Sequence, residues 1–173
     1  MAVYWKKPVK GKTSDNRVDN QIKRSMKHME PKIIAFCCHY CAFTAADLAG
    51  TMRQQYPSNI HIVRLPCTGK VDANMLLQAF VEQADGVMVA GCEIGSCHFL
   101  EGNVRAKKRG EYAKRKVEAV GINPEKLEMF HIAASEGPLF ARTARAFTEK
   151  IRNITGQEHQ ANADAPGDEV TKE

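Results

Sequence analysis

The sequence predicts a single α/β domain with a doubly wound, flavodoxin-like or Rossmann-like fold around a four-stranded parallel sheet. Short apolar runs alternate along the chain with amphipathic stretches rich in helix-forming residues. This alternation is typical of a parallel sheet that is covered by helices on both faces. The 173 residues, 43% of them hydrophobic, are enough for one domain with a full core and too few for two.

The first half of the domain contains two predicted strands, each followed by a helix. KIIAFC (32–37) is a short apolar run typical of a buried strand, and TAADLAGTMRQQY (44–56) has the spacing of an amphipathic helix. NIHIVRLP (59–66) is rich in branched residues and ends at a proline, and DANMLLQAFVEQA (72–84) is again helical. The candidate N-caps of the two helices are Thr44 and Asp72.

The second half repeats the pattern. GVMVAG (86–91) is the most apolar run and is therefore predicted to be a central strand. Residues 103–121 are rich in charge and predict an exposed helix, and KLEMFHIA (126–133) predicts the fourth strand. The last predicted helix covers 135–156, with Ser135 as its cap and Gly156 as its end.

Both termini are expected to lie outside this domain of residues 31–156. Residues 1–30 form a basic extension that carries eight Lys or Arg against three Asp or Glu, while the rest of the chain is balanced. A basic arm on a neutral body does not indicate a nucleic-acid-reading domain, so no nucleic acid is expected as a partner. Residues 157–173 are polar and acidic and are expected to be disordered.

The chain contains no apolar run long enough for a spanning helix and no signal-peptide pattern at its N-terminus. We therefore expect a soluble, cytoplasmic protein without membrane insertion. In that compartment the six cysteines stay reduced, so they do not predict a disulfide framework. Metal binding or redox chemistry is the alternative that their grouping favours.

The cysteines follow the predicted strands. Three come after the first strand, one after the second and two after the third, in the order Cys37, Cys38, Cys41, Cys67, Cys92 and Cys97. None lies inside a predicted helix. Because the carboxyl ends of parallel strands share one edge, and ligands bind there at the topological switch point, the thiols are expected to converge.

The spacings Cys38-x2-Cys41 and Cys92-x4-Cys97 let two thiolates face one metal centre, with Gly91 and Gly95 giving the second loop freedom to bend. Soft thiolates select zinc or iron–sulfur clusters, and the absence of two matched zinc knuckles favours iron–sulfur. Two alternatives remain, a zinc-stabilised module and a thiol–disulfide redox module. The second would use FCCHYC as a thioredoxin-like dithiol but leaves the later cysteines unexplained.

Four ordered motifs, FCCHYCAFTAADLAG, RLPCTGKVD, DGVMVAGCEIGSCHFLEGN and ASEGPLFA, cover about 33–152. Together they resemble the delta subunit family of methyl-viologen-reducing hydrogenase, also called the hydrogenase iron–sulfur subunit family. The resemblance implies one [2Fe-2S] cluster and a role as an electron-transfer subunit of an oxidoreductase complex. The implied partners are a hydrogenase or formate dehydrogenase and the flavin-containing heterodisulfide reductase A-like subunit, whose flavin bifurcates electrons in the best-known complexes.

The same resemblance implies that four of five cysteines ligate the cluster: Cys38, Cys41, Cys67, Cys92 and Cys97. The choice between Cys38 and Cys41 stays open at this stage. Cys37 is still in strand phase and is expected to pack in the core. Glycine-containing loops and the helix starts after Thr44 and Asp72 are the expected backbone donors to the cluster sulfurs.

Three further polar residues flank the cysteines. His39 and His98 are alternatives to a thiolate, as in Rieske centres, although the chain has enough thiols without them. Lys70 is expected to be a solvated surface residue. No catalytic triad and no phosphate-binding G-x-G-x-x-G follows the first strand, so a catalytic role is not predicted.

Overall fold

A computed structural model describes residues 30–163 and shows a parallel four-stranded sheet in the order β2-β1-β3-β4, which confirms the predicted fold class. The strands are β1 (Ile33–Cys38), β2 (Ile60–Leu65), β3 (Gly86–Gly91) and β4 (Leu127–His131). The helices are α1 (Thr44–Thr51), α2 (Ala73–Val81), α3 (Gly102–Ala119) and α4 (Gly137–Ala163). Short turns of other helical types cover His39–Phe43, Thr68–Lys70 and Pro124–Lys126.

The register of the sheet brings the strand ends to one level. Ile33 at the start of β1 lies opposite Ile60 on one side and Gly86 on the other. At the far end Cys38 lies opposite Leu65, and Gly91 lies opposite His131. The loops that follow β1, β2 and β3 therefore leave the sheet side by side, which is the arrangement that the positions of the cysteines require.

Two hydrophobic cores lie on opposite faces of the sheet. On one face α1 and α4 cover β1 and β3, with Phe140 and Phe147 as their largest fully buried side chains. On the other face α2 and α3 cover the same strands through Leu76 and Val117. All six residues of β3 are buried, as expected for a central strand with a helix layer on each face.

The start of α1 differs from the prediction. A π-helical turn over His39–Phe43 runs directly into α1, so Phe43 already has helical dihedrals and Thr44 does not cap the helix. Its hydroxyl instead donates a hydrogen bond to the His39 carbonyl, at 2.9 Å. Cys41 therefore lies in a helical turn, which the sequence did not predict. Asp72 is an N-cap as predicted, since its carboxylate accepts the Met75 N–H at 2.8 Å.

The end of α4 also differs, because the helix continues past Gly156 to Ala163. Ile151 and Ile154 are buried before the glycine, and Lys126 pairs with Glu158 after it. These contacts keep α4 helical across Gly156, because a glycine in a helix interior costs only about 1 kcal/mol of stability relative to alanine. The first seven residues of the tail that was expected to be disordered are thus helical, while residues 1–29 and 164–173 lie outside the described part.

Across residues 30–163, no helix combines the length and the apolar character that a membrane span needs.

Candidate metal centre

Five of the six cysteines meet in one buried cluster at the carboxyl edge of the sheet. Each of the five is at most 8% exposed, and the members are Cys38, Cys41, Cys67, Cys92 and Cys97. Cys38 is the last residue of β1, Cys67 follows β2 and Cys92 follows β3. The predicted convergence of the thiols is therefore found, and all of them are free.

The five sulfurs fall into two groups. The sulfurs of Cys38, Cys41 and Cys92 all lie within 4.8 Å of one another, and the distance from Cys38 Sγ to Cys92 Sγ is 3.9 Å. Cys67 and Cys97 form the second group, and both of their sulfurs lie against Gly102. A Cβ atom built on this glycine would lie 2.2 Å from Cys67 Sγ and 3.2 Å from Cys97 Sγ.

Backbone N–H groups are directed at the sulfurs of the second group. The Gly69 N–H donates to Cys67 Sγ at 3.3 Å. Burial acts to raise the pKa of Cys97, but the N–H groups of Phe99, Asn103 and Gly102 outweigh it and hold that pKa below the usual range. Two of these donors belong to the first residues of α3, where the helix dipole also favours negative charge. The start of α3 thus stabilises a thiolate, and it is not one of the two helix starts that the sequence indicated.

Cys41, Cys67 and Cys92 are disfavoured as isolated anions. Burial raises the pKa of Cys92 and of Cys67; the charge of Cys38 raises that of Cys92 further, and the charge of Cys97 raises that of Cys67. Burial also raises the pKa of Cys41 strongly, and a hydrogen bond from its thiol to Cys92 acts in the same direction. Several buried thiols crowded together repel one another once ionised, so a compensating cation is what allows them to be thiolates together.

Three polar side chains hold the loops that carry the cysteines. Asn103 is fully buried, and its amide donates to the carbonyls of Cys92 at 3.1 Å and Glu93 at 2.6 Å. His131 Nδ1 lies 2.7 Å from the same Cys92 carbonyl oxygen. The guanidinium of Arg109 donates to the carbonyls of Gly69 and Val71, at 2.8 and 2.9 Å. Sequence reasoning did not identify these residues, since their partners are up to 40 positions away.

Cys37 points away from the cluster. Its side chain is fully buried in the core under α1 and α4, and burial raises its pKa to about 12. This placement agrees with the expectation that Cys37 packs in the core.

An exposed aromatic and apolar rim lies on the loops that carry Cys41 and Cys97. Tyr40 stacks on His98 with ring centroids 4.2 Å apart, and Phe99 packs edge-on against both rings. Phe99 is 51% exposed and Leu100 is 85% exposed. His39 and His98 lie in this exposed rim, outside the buried thiol cluster, and Lys70 is exposed as expected.

Soft ligands, burial and directed N–H donors fit a thiolate-bound metal or cluster. The fold and the site together define a flavodoxin-like domain that carries a cysteine-rich centre at the switch point of its sheet. Similarity to known proteins narrows this class. The chain belongs to the family described as methyl-viologen-reducing hydrogenase, delta subunit, whose family model matches residues 33–155.

Individual relatives support the same assignment. The chain is 43% identical to the vhu iron-sulfur subunit of the F420-non-reducing hydrogenase of Methanocaldococcus jannaschii, over 73% of this chain and 94% of the relative. It is 38% identical to the iron-sulfur subunit of the F420-non-reducing hydrogenase of Archaeoglobus profundus, over 72% of this chain and 91% of the relative.

Another relative is much longer and is named as a heterodisulfide reductase subunit. The chain is 36% identical to a subunit of the ferredoxin/F(420)H(2)-dependent CoB-CoM heterodisulfide reductase of Methanosarcina acetivorans, over 88% of this chain. It spans only 20% of that relative, so a domain of this kind forms a small part of a much larger polypeptide there.

Proposed function

We propose that this chain is a non-catalytic electron-transfer subunit that holds one [2Fe-2S] cluster between the ends of β1, β2 and β3. The observation that carries the proposal is the convergence of five buried thiols, with backbone N–H groups directed at two of them. When bound, such a cluster accepts and releases one electron at a time. The residues of the chain hold it, exclude water from it and supply hydrogen bonds that offset its negative charge.

The geometry also favours one ligand set. Two thiolates on one tetrahedral metal, each about 2.3 Å from it, lie about 3.8 Å apart. Cys38 and Cys92 have almost this separation, at 3.9 Å, and Cys67 pairs with Cys97 around Gly102. We assign Cys38, Cys67, Cys92 and Cys97 as the four ligands.

Cys41 is then the fifth, non-ligating thiol. It belongs to the same group of three sulfurs as Cys38 and Cys92, yet each iron of such a cluster has places for only two thiolates. We favour Cys38 as the ligand because it also interacts electrostatically with Cys67 of the second group, and its Sγ lies 4.0 Å from the carbonyl oxygen of Pro66, the residue before Cys67. It therefore sits between the two groups.

We propose the partners of this chain from the names of its relatives. Relatives named as hydrogenase iron–sulfur subunits favour a hydrogenase as electron donor, and relatives named as heterodisulfide reductase subunits favour a polypeptide of that type as acceptor. The family resemblance adds a formate dehydrogenase as the alternative donor and a flavin in the acceptor, at which electrons would bifurcate. The exposed rim around Phe99 and Leu100 provides apolar contact area beside the cluster. A partner that docks on this rim would bring its own redox centre close to the cluster, as electron transfer requires.

Metal analysis of protein purified without oxygen tests this function. We expect about two irons and two acid-labile sulfides per chain, with the visible absorption of an iron–sulfur protein. The rival function, a zinc-stabilised module, fits the three close sulfurs of Cys38, Cys41 and Cys92 if a fourth thiol joins them. One zinc per chain and no colour would establish that rival. A chain with neither metal and a readily formed disulfide would point to a thiol–disulfide module.

A further inference from the structure

Thr68 has a buried hydroxyl for which the described part of the chain provides no hydrogen-bond partner. The residue is fully buried and opens the short helical turn Thr68–Lys70, directly after Cys67. A buried hydroxyl without a partner loses its hydrogen bonds to water and gains nothing in return. A valine would fill the same space without that loss, so the hydroxyl requires a physical explanation.

This side chain borders the candidate metal centre. A Cβ atom built on Gly91 would lie 2.9 Å from both Oγ1 and Cγ2 of Thr68. Gly91 ends β3 and precedes Cys92, while Thr68 itself follows Cys67. The hydroxyl is therefore enclosed between two of the loops that carry thiols, one from each group of sulfurs.

Two other threonines with buried hydroxyls, Thr148 and Thr155, provide a comparison. Thr148 in α4 is equally buried, and its hydroxyl donates to the Ala144 carbonyl at 2.9 Å. Thr155 in α4 has an unpartnered hydroxyl like Thr68, but it lies beyond Ile151, which packs against Gly86 at the opposite end of β3. Of the two unpartnered hydroxyls in residues 30–163, that of Thr68 alone borders the loops that carry Cys67 and Cys92.

We infer that the Thr68 hydroxyl donates a hydrogen bond to a sulfur of the cluster and thereby raises its reduction potential. The inference rests on the proposed function. Reduction adds one electron, and so one negative charge, to the cluster and its thiolates, while the proton stays on Thr68 Oγ1. A donor directed at sulfur stabilises the more negative, reduced state more than the oxidised state. Thr68 is thus a positioning residue that tunes the potential, and it is not a ligand.

Potentiometric titration of Thr68→Val followed by EPR tests this role. We expect the one-electron reduction equilibrium constant to fall about tenfold, which corresponds to about 59 mV toward lower potential. Thr68→Ser keeps the hydroxyl and is expected to stay close to the wild-type potential. Thr155→Val removes the other unpartnered hydroxyl, far from the thiols, and is expected to leave the potential unchanged.

Equal potentials in wild type and Thr68→Val, both with full iron content, would overturn the inference, as would an equal fall in Thr68→Ser. Thr68→Ala repeats the test without the added methyl group if the valine variant fails to load iron. Loss of iron in both hydroxyl-free variants but not in Thr68→Ser would support a bond from the hydroxyl to the cluster. Loss in all three would contradict it. A wild-type chain without iron and sulfide would instead refute the proposed function itself.

Discussion

Replacing Cys92 with alanine is expected to abolish the iron–sulfur spectrum and to reduce bound iron to a small fraction of the wild-type amount. Cys92 is 1% exposed, and its Sγ lies 3.9 Å from Cys38 Sγ, within the group of three sulfurs. Asn103 and His131 fix the loop at the Cys92 carbonyl, so loop movement cannot bring in another ligand, and the spare thiol of Cys41 is the one nearby group among the described residues that could substitute. Visible absorption and iron content of the variant, purified without oxygen, measure the effect.

Cys37→Ala is the matched control. It removes the same atom from an equally buried cysteine one residue before the proposed ligand Cys38, but from the core side of the sheet. We expect full iron content and a loss of about 1 kcal/mol in the free energy of unfolding, from the small cavity. If Cys92→Ala keeps its iron even when Cys41→Ala is added to remove the spare thiol, or if Cys37→Ala loses iron to the same extent, the site is wrongly placed.

Alanine variants of the two cysteines after β1, Cys38 and Cys41, test the proposed ligand set more specifically. With Cys38 as ligand and Cys41 as the fifth thiol, Cys38→Ala should lose the cluster and Cys41→Ala should retain it. The reverse result would exchange their roles and leave the other three ligands in place. Loss in both variants would show that each thiol is needed for cluster assembly, contrary to the ligand set proposed above.

Gly102→Ala is expected to have the second largest effect, through a steric clash inside the site. The added methyl group would lie 2.2 Å from Cys67 Sγ, which is less than any real contact, so either this thiol or the first turn of α3 must move. Overpacking of this kind costs about 1–3 kcal/mol in stability. The displaced Cys67 also leaves one ligand position poorly filled, so the iron content should fall sharply.

Gly110→Ala provides a control on the same helix. A Cβ atom at Gly110 meets no atom within 4 Å, and the residue lies inside α3. Alanine in a helix interior is favoured over glycine by about 0.5–1 kcal/mol, so this variant should be slightly more stable and fully loaded with iron. Thermal unfolding together with iron analysis distinguishes the two variants. Normal iron content in Gly102→Ala would mean that Cys67 lies elsewhere when the cluster is bound.

The sequence predicts those features that depend on short-range patterns. The apolar run 86–91 coincides with β3, and the alternation of strands and helices is enough to place the cysteines at one edge of a parallel sheet. The strand phase of Cys37 correctly places it in the core. These predictions hold because burial periodicity and the geometry of parallel sheets leave few alternatives.

The features that sequence reasoning missed depend on tertiary contacts. Thr44 resembles an N-cap locally, but the preceding turn over His39–Phe43 is already helical and leaves nothing to cap. Gly156 resembles a helix end, but buried isoleucines before it and the pairing of Lys126 with Glu158 extend α4. Nothing in the sequence distinguishes Arg109 from the other cations of the charged helix α3. The structure shows that its guanidinium donates to a backbone carbonyl close to Cys67.

The central claim, that the converging thiols hold a one-electron carrier, is tested most directly by counting electrons. Coulometric reduction of the purified full-length chain, followed by EPR of the reduced sample, gives both the electrons taken up and the unpaired spins formed. We predict about one electron and about one unpaired spin per chain, the behaviour of a single [2Fe-2S] cluster. Uptake of about two electrons without a spin, as for a disulfide, or no uptake at all, as for zinc, would contradict the claim.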